Sequence, residues 1–304
     1  MTEVTATTVP GPSSRTPLRQ SIELYLSSPL AVGALLLFLV IVLLAAFGPW
    51  IVPQNPYDLM QIDIMDGMLP PGTESPTYGL RYWLGTDDQG RDMLSAIVYG
   101  LRISLAVGVG SALLACTIGT LIGIIAAFIG GRTEAFIMRL VDLQLSFPAI
   151  LIALMILSVL GSGVGNVVLA IVIVEWATYA RTVRGAAMVE RNREYIEAAR
   201  GLALPAWRIA LHHLLPNCLP PVVVIVTMQI ARAIALEATL SFLGLGVPVT
   251  EPSLGLLIAN GHSHILAGNY WVSLYPGLAL LVTMAAINIV GDRVREILNP
   301  RNQS

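Results

Sequence analysis

Glu175, Arg232 and Glu237 stand inside stretches that are otherwise apolar. A charge at mid-bilayer depth costs roughly 2.5–3.5 kcal/mol on insertion scales, so such residues turn inward, toward one another or toward a wet cavity. Glu175 and Arg232 are opposite in sign and near the middle of their stretches. They are predicted to lie within about 8 Å, roughly one Debye length at physiological salt, and to interact directly or through one water. Such a pair either lines a path for a polar solute or fixes helix register. Glu237, further along its stretch, is a candidate for a solute vestibule. Asp87, Asp88 and Asp92 invite a metal reading. Asp at such close spacing also binds local backbone N–H groups, and turn and capping chemistry is the better account. His212 and His213 are adjacent, about 100° apart on a helix. His262 and His264 have no carboxylate or thiol at ligand spacing, so no metal site is read at either pair. Cys116 and Cys218 read as buried small side chains. No nucleophile–base pair stands in an apolar stretch, which argues against an intramembrane enzyme.

The chain that must position these residues has 304 of them, 55% hydrophobic and 12% charged, with mean hydropathy +0.75. Soluble domains carry about 25% charged residues. The composition fits an integral membrane protein, an all-α polytopic helix bundle with six transmembrane helices. Residues 1–28 read as a tail that becomes helical only near Leu18 to Leu26. Residues 30–48 contain no charge and are long enough to span ~30 Å of hydrocarbon. This run is longer and begins later than a cleavable signal core. The unit 29–102 comprises that first span and a polar, Pro/Gly-rich external loop. The core, 103–291, holds five spans: 103–129, 143–160, 166–180, 219–240 and 272–290. In the second span Ala115, Gly119, Gly123 and Ala127 recur every fourth residue and allow close helix approach. A short loop at 132–139 follows. Pro148 lies in the first turns of the third span. The connection 244–270 is Gly-rich, and 292–304 is a C-terminal tail.

Between the fourth and fifth spans lies the longest polar segment between apolar spans, 184–217, RGAAMVERNREYIEAARGLALPAWRIALHHLLPN. Tyr195, Ala198, Ala199 and Leu202 form one apolar stripe at helical spacing, and Trp207, Ala210, Leu211 and Leu214 form another. Pro205 suits a first helical position, Pro216 is predicted to end the second helix, and Gly201 to permit the bend. A helix–bend–helix with small residues at Ala198 and Ala199 is shaped to dock into a cleft on a partner. Substitution of a bulky residue at Ala199 is expected to disturb that fit.

This segment resembles the EAA motif of the inner-membrane permeases of ABC importers. Glu197-Ala198-Ala199 and Leu215-Pro216 match in identity and spacing, whereas Ala203 stands where the family has Gly and His213 where it has Ile. Upstream, the run Leu84-Gly85-Thr86-Asp87-Asp88-Gln89-Gly90-Arg91-Asp92 resembles the LGTDxxGRD signature of peptide and nickel permeases of the OppC and DppC type. The segments 248–255 and 291–301 are similar to that family as well. The resemblance implies the type I importer permease fold and docking of ATPases on Glu197, Ala198, Ala199, Gly201, Ala203, Trp207, Leu215 and Pro216. It also implies a paralogous permease subunit, two cytoplasmic ABC ATPases or one fused pair, and an external solute-binding protein. The implied solute is a short peptide, with nickel or another small solute as the alternative, and no nucleic acid.

All 17 basic residues are Arg, so the Lys of a Walker A phosphate loop is missing. The chain itself is therefore expected to hold no cofactor, with ATP and Mg bound by the partner ATPases. With the N-terminus inside, thirteen Arg residues fall on the inner side and only Arg81, Arg91 and Arg102 outside. This bias predicts cytoplasmic termini and a cytoplasmic 184–217 segment, in a bacterial inner membrane contacting lipid on its outer surface. An ion-coupled secondary transporter would need an inverted repeat, and none is visible.

Overall fold

The computed structural model describes residues 17–298, except 59, 77, 78 and 252. Among these residues the helices are α1 (Pro17–Leu26), α2 (Pro29–Phe47), α3 (Met93–Ile129), α4 (Gly131–Ser146), α5 (Ala149–Leu160) and α6 (Val164–Arg191). They continue with α7 (Glu194–Gly201), α8 (Ala206–Arg208), α9 (Leu215–Phe242), α10 (Leu254–His262) and α11 (Trp271–Leu298). Two short antiparallel strands, β1 (Thr73–Glu74) and β2 (Arg81–Tyr82), lie in the loop after α2.

The axis of the bundle is α3. Its 37 residues extend roughly 55 Å at 1.5 Å per residue, well beyond the ~30 Å hydrocarbon core. Helix α6 lies along it, because Gly119 and Gly123 carry no side chain at the crossing. A Cβ at Gly119 would fall 2.4 Å from the Trp176 carbonyl oxygen, and one at Gly123 2.7 Å from that of Ala180. The small-residue row is thus the α3–α6 contact. Helix α9 meets α3 at Gly108, where Ile234 fills the space a Cβ would take. Helix α10 presses on α9 through Gly255 and on the start of α11 through Gly261. The largest apolar core joins α2, α3, α9, α10 and α11 through Ile41, Ile97, Leu101, Ile234, Leu254 and Ile287.

The N-terminal end of α3 carries a compact polar cap. Asp92 is its N-cap, accepting from the Ser95 N–H at 2.8 Å and the Ser95 hydroxyl at 2.6 Å. Asp87 accepts from the N–H groups of Gln89 and Arg91 and pairs with the Arg91 guanidinium at 2.7 Å. Asp66, fully buried, accepts from Ser75 at 2.5 Å and from Tyr82 at 2.9 Å. Burial and the Asp66 carboxylate push the Tyr82 phenol up to about 12, which keeps it a donor. Thr86 donates to the Asp66 carbonyl, and Trp271 donates to that of Thr86 at 3.0 Å, tying the cap to α11.

Several expectations are corrected. The third span is not continuous: α4 and α5 meet at 91°. Pro148 lacks an N–H and pushes Phe147 into an extended conformation (φ −96°, ψ 145°), which breaks the helix there. Among the described residues five helices are long and apolar enough to cross a membrane, and counting the bent pair as one span gives the six expected. The 132–139 segment is part of helix α4, not a loop. Helix α3 begins at Met93 rather than 103, because Asp92 caps it. Helix α6 runs to Arg191 and so absorbs the first turns of the 184–217 segment. The 244–270 connection contains α10, capped by Ser253, which accepts from the Leu256 N–H. Helix α11 ends at Leu298, so the last residues of the 291–301 similarity lie outside the described residues.

Candidate functional site

The 194–214 hairpin sits at the end of the bundle opposite the cap. Helix α7 stops at Gly201, but the reversal is made one step later. The Ala203 N–H bonds the Arg200 carbonyl at 2.9 Å and the Leu204 N–H bonds that of Ala199 at 3.2 Å. This pair of bonds is a Schellman closure, and it requires a left-handed residue at Ala203, whose φ is +54°. Gly201 is therefore not the bend; the chain turns at the position where the family has Gly. An alanine there carries strain that glycine would relieve.

The hairpin's inner side is Ile196, Ala199 and Ile209, buried against Phe128 and Leu204. This corrects the predicted stripe. Ala199 is only 4% exposed and holds the hairpin together, whereas Leu202 is 76% and Trp207 57% exposed. Glu197, Ala198, Gly201 and Ala203 also face outward, as does Pro216, and Leu215 is half-buried. A bulky residue at Ala199 would therefore disturb the hairpin itself before any partner. The outward face pairs an acidic group with a protruding aliphatic and an indole, over which Arg208 lies 5.5 Å from the ring centre.

Pro216 does not end the second limb. Residues Ile209–Leu214 form a π-helical turn that leads into α9, with the Leu215 N–H reaching the Ala210 carbonyl. The wider turn makes room for the proline ring, and Asn217 donates to the His213 carbonyl at 2.7 Å. Ala206 to Phe242 is consequently one uninterrupted rod. Its root packs through Leu214, Cys218 and Val222 against Ile124, Ala127, Val183 and Ala187. Arg191 donates to the Ala127 carbonyl at 2.7 Å, and the pairs Arg184–Glu134 and Arg181–Asp142 fasten α6 to α4.

Deeper in the bundle, Glu175 and Arg232 line one small polar cavity of about 70 Å³, together with Gln144, Thr178 and Gln229. Glu175 is 2% exposed and, among the described residues, neither of its carboxylate oxygens has a hydrogen-bond partner; the same holds for the Gln229 amide nitrogen. Among the described residues no ion pair joins Glu175 to Arg232. Glu237 faces no vestibule. It is fully buried, accepts from Ser104 at 2.9 Å and from Ser241 at 2.7 Å, and the Ser104 oxygen accepts from the Leu254 N–H. This node locks α3, α9 and the start of α10. Its one local signal in the sequence is Ser241, one turn beyond Glu237; Ser104 lies on another helix.

Comparison with known proteins agrees with this architecture. Residues 119–304 match the family described as "Binding-protein-dependent transport system inner membrane component", and residues 16–71 match "N-terminal TM domain of oligopeptide transport permease C". The di/tripeptide transport system permease protein DppC of Pseudomonas aeruginosa is 37% identical over 285 residues, 94% of this chain and 92% of that protein. The probable D,D-dipeptide transport system permease protein DdpC of Escherichia coli is 34% identical, covering 90% and 88%. The dipeptide transport system permease protein DppC of Bacillus subtilis is 32% identical, covering 90% and 82%. The inward-facing MetNI methionine ABC transporter shares the fold, with TM-score 0.56 and 20% identity over 68% of this chain and 98% of that chain. With more than half of its length in the family model and these relatives spanning it nearly end to end, the chain belongs to the binding-protein-dependent transport inner-membrane components, the permease subunits of ABC transporters, and has the type I importer permease fold.

Proposed function

We propose that this chain is one of a pair of permease subunits in an importer of short peptides, and that it transmits work done by separate ATPases without catalysing hydrolysis itself. The observation that carries this reading is the rod from Ala206 to Phe242, which joins an outward-facing hairpin to the middle of the bundle without a break. A partner that grips Glu197, Ala198, Leu202 and Trp207 differently in two states moves the rod with the hairpin. Arg232 and Glu237 ride on that rod, and the Glu237 node drags α10 with it. The recess of Glu175, Gln229 and Arg232 is then a polar part of the solute path. The Arg distribution supports cytoplasmic termini, with the hairpin on the side where ATP is. The peptide assignment draws on the relatives, named as dipeptide and di/tripeptide permeases.

Reconstitution in liposomes with a second permease chain, the ATPases and a binding protein tests the reading. Peptide uptake that requires ATP and both ATPases is expected. Uptake by this chain alone, driven by an ion gradient, would overturn it.

A further inference from the structure

Beside the outer cap lies a cleft of about 470 Å³ that none of the roles above uses. Its walls come from four parts of the chain: Tyr57 from the loop after α2, Tyr99, Arg102 and Ile103 from α3, Val164 from the start of α6, and Glu251 from the turn before α10. The volume is within the ~300–1,000 Å³ of small-ligand sites. Tyr57 and Tyr99 meet edge to face, with ring centres 5.1 Å apart. The Tyr57 hydroxyl is buried and, among the described residues, has no hydrogen-bond partner. Burial, with the Glu251 carboxylate next, pushes that phenol well above its usual range, so it remains a donor. Arg102 and Glu251 are exposed at the rim, and among the described residues neither is in an ion pair.

We propose that this cleft is an entry subsite for a zwitterionic short peptide. Glu251 receives the α-ammonium and Arg102 the terminal carboxylate. An apolar side chain rests on the two rings, Ile103 and Val164. The site rests on the peptide-import reading and adds to it a place where charge at both ends of the solute is sensed by the permease itself. A zwitterionic lipid headgroup offers similar charges. The choice of probes and of lipid in the test below separates the two.

The test uses the complete importer in phosphatidylcholine nanodiscs without the binding protein, with saturation-transfer NMR of alanyl-phenylalanine, its N-acetyl form and its C-terminal amide. Saturable transfer to the free dipeptide is expected. Glu251→Gln should weaken the free dipeptide and the amide about threefold to tenfold, the range for losing one charge-assisted contact. It should leave the N-acetyl form unchanged. Arg102→Gln should weaken the free dipeptide and the N-acetyl form while sparing the amide. Glu251 lies on an exposed turn, so its variant decides the matter even if Arg102→Gln fails to assemble. Three results would overturn the subsite: no saturable transfer to the wild-type complex, equal loss of all three probes in Glu251→Gln, or loss of transfer when phosphatidylethanolamine replaces phosphatidylcholine. If the peptide reading itself is at fault, the wild-type complex fails to import the dipeptide with its binding protein, a separate measurement.

Discussion

The two ends of α3 are finished in opposite ways. At its N-terminal end, Asp66, Thr86, Asp87, Arg91 and Asp92 are all buried and bind one another, nearby backbone and Trp271. At the other end, the 194–214 hairpin buries Ile196, Ala199, Ile209 and Leu214 and turns Leu202 and Trp207 outward. A segment whose buried charges mostly bind one another and nearby backbone is a structural plug, although among the described residues Asp66 Oδ1 and Arg91 Nη2 have no hydrogen-bond partner. A segment that exposes a leucine and a tryptophan beside an acidic group is finished by something else. On the proposed reading, the difference separates the part of this permease that stays rigid from the part that a partner grips.

The comparison breaks most severely at Gly90. Its φ is +79°, and a Cβ there would fall 2.0 Å from the Asp63 carbonyl oxygen. Gly90→Val should destabilise the cap by roughly 3 kcal/mol or more, combining left-handed strain with overpacking. A lowered thermal midpoint of the purified complex would register it. At the hairpin, Leu202→Glu should leave that midpoint unchanged while lowering solute-stimulated ATP hydrolysis by about tenfold or more, as for a buried anchor of an interface. Unaltered stimulation would mean that the outward face is not gripped. The smallest effect is expected at the bend. Ala203→Gly removes the left-handed penalty and should stabilise the hairpin by about 0.5–1 kcal/mol, less the extra freedom glycine has when unfolded. Slower amide exchange over 196–209 is the measurement. Faster exchange would show that the alanine is needed for packing.

The hairpin was legible in the sequence because its signals are local: Glu197-Ala198-Ala199, a bend and Leu215-Pro216 at fixed spacing. The capping role of Asp87 and Asp92 was legible for the same reason, since both bind N–H groups a few residues on. The orientation of the hairpin was not. Ala199 and Ala198 are chemically identical neighbours, and packing against Ile209, Leu204 and Phe128 settles which one is covered. Pro216 misled because proline ordinarily closes a helix; a π-helical turn, which depends on the packing of Leu214 and Cys218, lets it continue. Glu237 misled because its partner Ser104 is 133 residues away.

By itself the sequence determined which stretches are apolar enough to enter a membrane, where its Arg residues fall, and which segment is amphipathic, since hydropathy and short-range spacing belong to consecutive residues. Tertiary structure alone decided that Glu175 and Arg232 share one cavity, that Glu237 is sealed off, and that α4 and α5 meet at a right angle. Those outcomes depend on how closely glycine-lined helices approach and on which distant side chain arrives to satisfy a buried charge, and neither is written within any one stretch of chain.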